Sequence, residues 1–185
     1  MASTETTTTG QSSLLPPLPS PLPTPHPSFS ICLPPSPPTI GPHSVFLAGS
    51  IEMGAAIPWQ SHLSTLLSPH PITILNPRRG SWDPNSRPDI SDLTFKTQVE
   101  WELDALDRCS VIAMFFDPGT KAPISLLELG LYAGSGRLVV CCPEGYWRRG
   151  NVQIVCARFG IPVLETLGEL MEETLRKLRE GGMRD

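Results

Sequence analysis

Basic side chains are scarce and scattered in this sequence. The chain carries 14 Lys and Arg against 18 Asp and Glu, and its largest basic clusters are the pairs Arg78-Arg79 and Arg148-Arg149. Nucleic-acid-binding domains usually show a basic stripe, so we expect no DNA or RNA polymer as a partner. No Lys or Arg precedes Arg78, and such a start lacks the features of a secretory signal or a mitochondrial presequence. We therefore expect a cytoplasmic protein.

Long apolar runs and metal-binding spacings are also missing. No stretch approaches the roughly 20 apolar residues that span a bilayer, so we expect no membrane association. The five cysteines include no CxxC spacing, and the four histidines share no ligand spacing. We expect reduced thiols, no metal and no cofactor. No GxGxxG motif follows the first strand-like run, which disfavours a dinucleotide-dependent oxidoreductase.

The first 42 residues are dominated by Pro, Ser and Thr. They lack the runs of aliphatic side chains that offset the entropy of ordering a backbone, so we expect a disordered tail. Its prolines favour extended polyproline conformations, which can dock on an aromatic groove of a partner protein. A solvated tail with no dedicated partner is the alternative.

Residues 43–185 alternate between short apolar runs and longer segments with helical spacing of apolar residues. This alternation predicts one α/β domain with a mainly parallel sheet covered by helices on both faces. In such sheets ligands bind at the carboxyl ends of the strands. The predicted strands are 44–48, 72–75, 111–116, 138–142 and 161–164, and the predicted helices are 57–67, 93–107, 124–135, 152–159 and 167–180.

Two carboxylates are candidates for catalysis. Glu128 is embedded among leucines in a predicted helix, and a buried carboxylate must pair, become neutral or face a cavity. The alternative places it on an exposed stripe of that helix. Asp117 follows a predicted strand and could point into the same cavity, and two such carboxylates suit glycosidic cleavage. Alternatively, Asp117 accepts hydrogen bonds from nearby backbone amides.

Four further residues are candidates for substrate binding. Gly49 and Ser50 lie where the first predicted strand meets a helix, and they either allow close approach to a ligand or form an ordinary turn. Gln98 and Glu102 are four residues apart in a predicted helix, so they share a face and could both reach a ligand. We expect the intervening Glu100 to be solvated.

Several short motifs together resemble the nucleoside 2-deoxyribosyltransferase family, in particular its divergent fungal and bacterial members. The resemblance spans residues 44–165, and the order and spacing of the motifs carry it. The motifs are FLAGSI at 46–51, NPRR at 76–79 followed by Trp82-Asp83, QVEWE at 98–102, ELG at 128–130 and GNV at 150–152.

This resemblance implies a flavodoxin-like fold, a three-layer sandwich with a five-stranded sheet, and a glycosyl-transfer mechanism. Glu128 aligns with the glutamate that attacks the anomeric carbon to give a deoxyribosyl-enzyme intermediate. A second nucleobase then gives transfer, and water gives hydrolysis. Asp117 or Asp83 would assist the departing base.

The resemblance also implies roles in substrate binding and assembly. Gly49 and Ser50 would line the sugar pocket. Asn151 falls where the family places an asparagine that orients the nucleophile or the sugar, often from a neighbouring subunit. We therefore expect a homo-oligomer that acts on a small nucleoside or nucleotide.

Two departures from the family pattern bear on mechanism and substrate. Family members place the carboxylate that precedes the nucleophile closer to it than Asp117 lies to Glu128. The related deoxynucleoside monophosphate N-hydrolases have an arginine where this chain has Glu52, and a carboxylate there would repel a phosphate. We favour an unphosphorylated 2-deoxynucleoside; the alternatives are a 5′-monophosphate N-hydrolase and a non-catalytic nucleotide sensor.

Overall fold

A six-stranded parallel sheet forms the centre of the computed structural model, which describes residues 14–80 and 87–184. The strand order is β1-β3-β2-β4-β5-β6, and every neighbouring pair is parallel. The expected α/β class with a mainly parallel sheet is confirmed, with one strand more than the five predicted. The strands are β1 (Ser30–Cys32), β2 (Ser44–Gly49), β3 (Thr73–Leu75), β4 (Val111–Phe115), β5 (Leu138–Cys141) and β6 (Val163–Leu164).

In the described residues, five α-helices cover the two faces of the sheet. Within the described ranges, none of these helices is both long and apolar enough to cross a membrane. The helices are α1 (Trp59–Leu67), α2 (Leu93–Arg108), α3 (Pro123–Tyr132), α4 (Arg149–Arg158) and α5 (Leu167–Glu180).

The core consists of two apolar clusters, one on each face of the sheet. Successive residues of a strand point to opposite faces, so Phe46 of β2 lies in one cluster with residues of α2, α3 and α4, while Val45 and Leu47 lie in the other with residues of α1 and α5. The four central strands, β2 to β5, are buried on both faces, which explains their apolar sequences. The result is the three-layer sandwich that the resemblance implied.

The described part of the N-terminal segment, residues 14–42, lies against the domain. The amide of Ser30 donates to Ile72 O at 3.1 Å, and the amide of His26 donates to Ser68 O at 2.8 Å. The indole of Trp101 in α2 donates to Ser36 O at 2.7 Å. For residues 14–42 this differs from the disordered tail expected for residues 1–42, and residues 1–13 lie outside the described residues. The expectation rested on the shortage of apolar side chains, whereas hydrogen bonds of backbone groups, several of them at the edge of β3, hold the described part.

Candidate active site

The carboxyl ends of β2 and β4 meet closely at Gly49 and Ser50. Gly49 has φ +130°, and a Cβ there would lie 2.1 Å from Phe115 O, so only glycine fits. Ser50 is fully buried. Its Oγ accepts from the amide of Asp117 at 2.9 Å, and its carbonyl accepts from the indole of Trp59 at 2.9 Å. These two residues therefore build the floor of the carboxyl edge.

Asp117 is 2 % exposed and is held by backbone groups. Its Oδ2 accepts from the amide of Ile57 and its Oδ1 from the amide of Gly119, both at 2.9 Å. This is the loop role that the sequence left open. Its carboxylate joins the loop after β4 to the loop before α1. The charge that acts on Glu128 comes from Glu102 and not from Asp117.

Glu52 holds the start of α3, the helix that carries Glu128. Its Oε2 accepts from the amides of Lys121 and Ala122 at 3.1 and 3.0 Å. Ala122 is the N-cap of α3, and its side chain makes no capping bond. The carboxylate of Glu52 therefore supplies from another loop the negative charge that a helix N-terminus favours.

Glu128 lies on the buried face of α3. It is 9 % exposed, which excludes the exposed-stripe alternative. The exposed face of the same helix is instead apolar, with Ile124, Leu127 and Leu131 between 59 % and 61 % exposed. Burial, and secondarily the nearby charge of Glu102, raises the pKa of Glu128 to about 8.

Glu102 is the end of a row of polar side chains that begins in the loop after β3. Nε of Arg79 donates to Gln98 Oε1 at 2.5 Å, and Nε2 of Gln98 donates to Glu102 Oε1 at 2.6 Å. The Gln98 amide also approaches Pro77 O at 3.3 Å. Burial raises the pKa of Glu102, and the Gln98 hydrogen bond and the Arg79 charge oppose that shift.

A hydrogen bond joins Gln98 to Glu102, and the charge of Glu102 acts on the carboxyl group of Glu128. The sequence predicted that Gln98 and Glu102 share a face, and the hydrogen bond between them confirms it. It did not identify Glu102 as the charge partner of Glu128, since that depends on how α2 and α3 pack. It assigned no role to Arg79, although Arg79 lies in one of the motifs.

The remaining two candidates lie elsewhere or outside the described residues. Asn151 is exposed on α4, and it lines a cavity of about 310 Å³ with Leu126, Leu129 and Gly130 of α3. The lining of this cavity includes neither Gln98 nor Glu102. Asp83 lies outside the described residues.

A protein-family model matches the part of the chain that carries most of these residues. The family model described as "Nucleoside 2-deoxyribosyltransferase like" matches residues 42–146, more than half of the chain. The matched range contains the loop after β2, the Arg79–Gln98–Glu102 row and Glu128. A search of curated proteins found no match.

Proposed function

Because the chain belongs to the nucleoside 2-deoxyribosyltransferase-like family, we propose that it cleaves the N-glycosidic bond of a 2-deoxynucleoside-like substrate, with Glu128 as nucleophile. The family supports an enzyme of nucleoside glycosyl transfer. The finer assignment of substrate and residues is supported by the buried carboxyl group of Glu128 and by the half-buried Glu102, whose charge acts on it.

The two carboxyl groups suit a reaction that needs one acid and one base. Burial raises both pKa values, and the charge of Glu102 adds to the shift of Glu128. The proposed mechanism requires the form in which Glu128 is ionised and Glu102 is protonated. Gln98, which itself accepts a hydrogen bond from Arg79, donates to Glu102 and holds its carboxyl group in place.

The reaction proceeds in two balanced steps. First, an oxygen of Glu128 bonds to the anomeric carbon as the carbon–nitrogen bond breaks, the electron pair leaves with the base, and Glu102 gives its proton to that base. Next, water or a second nucleobase attacks the anomeric carbon, the ester bond to Glu128 breaks, and Glu102 accepts the proton of the attacking group. Hydrolysis and transfer differ only in this acceptor.

We place the proton donor at Glu102 rather than at Asp117. The two oxygens of Asp117 already accept from backbone amides of Ile57 and Gly119, so a proton transfer would break contacts that hold two loops. Asp117 instead supports the floor formed by Gly49 and Ser50, which we propose lies under the sugar. Asn151 serves this site only if it comes from a neighbouring subunit of a homo-oligomer.

The position of Glu52 favours an unphosphorylated substrate. Its carboxylate occupies the N-terminus of α3, where a substrate phosphate would otherwise find free amides and a favourable helix dipole. A 5′-monophosphate would meet a negative charge there. This observation supports a nucleoside over the monophosphate alternative.

Liquid chromatography of the purified protein with 2-deoxynucleosides and their 5′-monophosphates, each with and without a second free base, tests the proposal. We expect base release, or a new nucleoside when the second base is present. Glu128→Gln should lower turnover by roughly 10³-fold or more, because the amide keeps the shape of the side chain but removes the nucleophile. The matched control is Glu100→Gln, an exposed position on α2.

The outcomes separate catalysis from binding alone. Full turnover by a folded Glu128→Gln variant would eliminate the proposed mechanism. No reaction of the wild-type protein across the panel would favour the non-catalytic nucleotide sensor.

A further inference from the structure

A second cavity lies at the carboxyl ends of β1 and β3, beside the Arg79–Gln98–Glu102 row. Its volume is about 640 Å³, within the range of small-molecule sites. One wall comes from the residues after β1, and the opposite wall comes from the loop after β3 and the first turns of α2. Its lining includes Leu33, Pro34, Pro35, Arg79, Thr94 and Thr97. We call it the β1–α2 cavity.

The wall after β1 is fixed to the domain on both sides of Pro34 and Pro35. The carbonyl of Cys32 accepts from the amide of Asn76 at 3.0 Å, and the carbonyl of Ser36 accepts from the indole of Trp101 at 2.7 Å. Trp101 is 5 % exposed and belongs to the same helix as Gln98 and Glu102. Hydrogen bonds to the rest of the domain therefore hold this wall of the cavity in place.

Arg79 connects this cavity to the proposed catalytic pair. It lines the cavity, while its Nε donates to Gln98, whose amide donates to Glu102. A base that receives a proton from Glu102 would lie along this row, with its far edge towards Arg79. The β1–α2 cavity lies at the Arg79 end of this row.

Several groups at the cavity that could bind a phosphate are already occupied by protein partners. Arg78 also lines it, but its guanidinium already donates to Gln60 Oε1 and to the carbonyls of Gly54, Ala56 and Ile57. At the start of α2, the amides of Thr94 and Phe95 donate to the carboxylate of the N-cap Asp92. The carbon surfaces of Leu33, Pro34 and Pro35 instead suit an uncharged, apolar group.

We propose that the β1–α2 cavity receives an apolar substituent on the outer edge of the nucleobase, so that the preferred substrate carries a substituted base. The inference rests on the proposed function, because the glycosidic end of the base is placed at Glu102. It assigns the N-terminal segment a part in substrate specificity.

The test compares 2-deoxyadenosine with its N6-benzyl derivative as substrates of the full-length protein. We expect a higher kcat/KM for the benzyl derivative. Thr97→Trp, which fills the cavity from α2, should lower the ratio of the two kcat/KM values by roughly tenfold, the scale of an apolar pocket contact. Lys96→Trp, on the next residue of the same helix but outside the lining, should keep the wild-type ratio.

Equal or poorer use of the benzyl derivative, or a ratio that Thr97→Trp leaves unchanged, would overturn the inference. If neither compound is cleaved, the proposed function fails, and calorimetric binding of the same two nucleosides decides on the cavity. Tighter binding of the benzyl derivative that is lost in Thr97→Trp supports the cavity, and equal binding in both proteins overturns it.

Discussion

A carboxyl group on the buried face of a helix is costly to ionise. For Glu128, repulsion by the charge of Glu102 adds to that cost. Its pKa of about 8 lies well above the ordinary value of 4.5. Such a group binds its proton more tightly in the folded protein than in the unfolded chain. Folding stability is therefore linked to the proton on Glu128.

The first prediction is a loss of stability as the pH rises from about 4.5 to about 8. In that window the folded protein holds a proton on Glu128 that the unfolded chain has released, so the free energy of unfolding falls by up to about 1.4 kcal/mol per pH unit. Glu128→Gln removes this term and should flatten the dependence. Urea unfolding at intervals across the window measures it.

Glu100→Gln is the control, because the Glu100 side chain is exposed. Its ion pair in the described residues is the exposed one with Lys96. It should keep the wild-type slope. Equal slopes for Glu128→Gln and the wild type would show that Glu128 is ionised throughout and would contradict the raised pKa.

For single residues, the sequence predicts which carboxyl group is buried but not which groups surround it. A glutamate among leucines indicates burial on α3, and Glu128 is buried. Asp117 has the same appearance, a carboxylate after an apolar strand, yet backbone amides surround it. The difference lies in where Ile57 and Gly119 place their amides, which is a property of folded loops rather than of residue types.

The N-terminus of α3 is capped by a side chain from another element, because Glu52 belongs to the loop after β2. Glu52 and Ala122 both have positive φ values, 46° and 44°, and such conformations persist only where surrounding contacts hold them. The two hydrogen bonds from Lys121 and Ala122 to Glu52 are contacts of that kind. They connect the floor loop to the helix that positions Glu128.

We predict that Glu52→Ala lowers the free energy of unfolding by about 1 kcal/mol, the usual cost of removing an N-cap oxygen. Thermal or urea unfolding measures the change. Glu172→Ala, at an exposed position on α5, should have almost no effect. If both variants are equally stable, Glu52 does not cap α3 in solution.

Helix boundaries were predictable where the local sequence determines them. The amphipathic pattern of α5 gave its bounds of Leu167–Glu180, and Asp92 caps α2 as one of the two residues expected there. The start of α4 was placed three residues late, at 152, because Gly150 and Asn151 are weak helix formers. Tertiary packing extends that helix back to Arg149.

For the whole molecule, the alternation of strands and helices was sufficient to predict the parallel sheet and its two helical layers. The sixth strand was not predictable, because Ser30–Cys32 is flanked by proline-rich sequence and has no hydrophobic alternation to mark it. Its pairing partner, β3, creates it. The same strand places Leu33, Pro34 and Pro35 at the carboxyl edge, so one missed strand also concealed the β1–α2 cavity.

The last prediction concerns this edge strand. Ser30→Pro removes the amide that donates to Ile72 O, and proline cannot replace that donor. We expect β1 to separate from β3, the free energy of unfolding to fall by about 1 to 3 kcal/mol, and the amide of Asn76, which donates to Cys32 O, to exchange faster. The control is Ser30→Ala, which removes the contact between the hydroxyl groups of Ser30 and Thr73 but keeps the backbone amide. In this variant the amide hydrogen of Asn76 should still exchange slowly. Hydrogen-exchange mass spectrometry of the two variants distinguishes them. Equal protection of Asn76 in both would mean that β1 does not depend on its pairing with β3, and that the N-terminal wall is held by Trp101 and the neighbouring side chains instead.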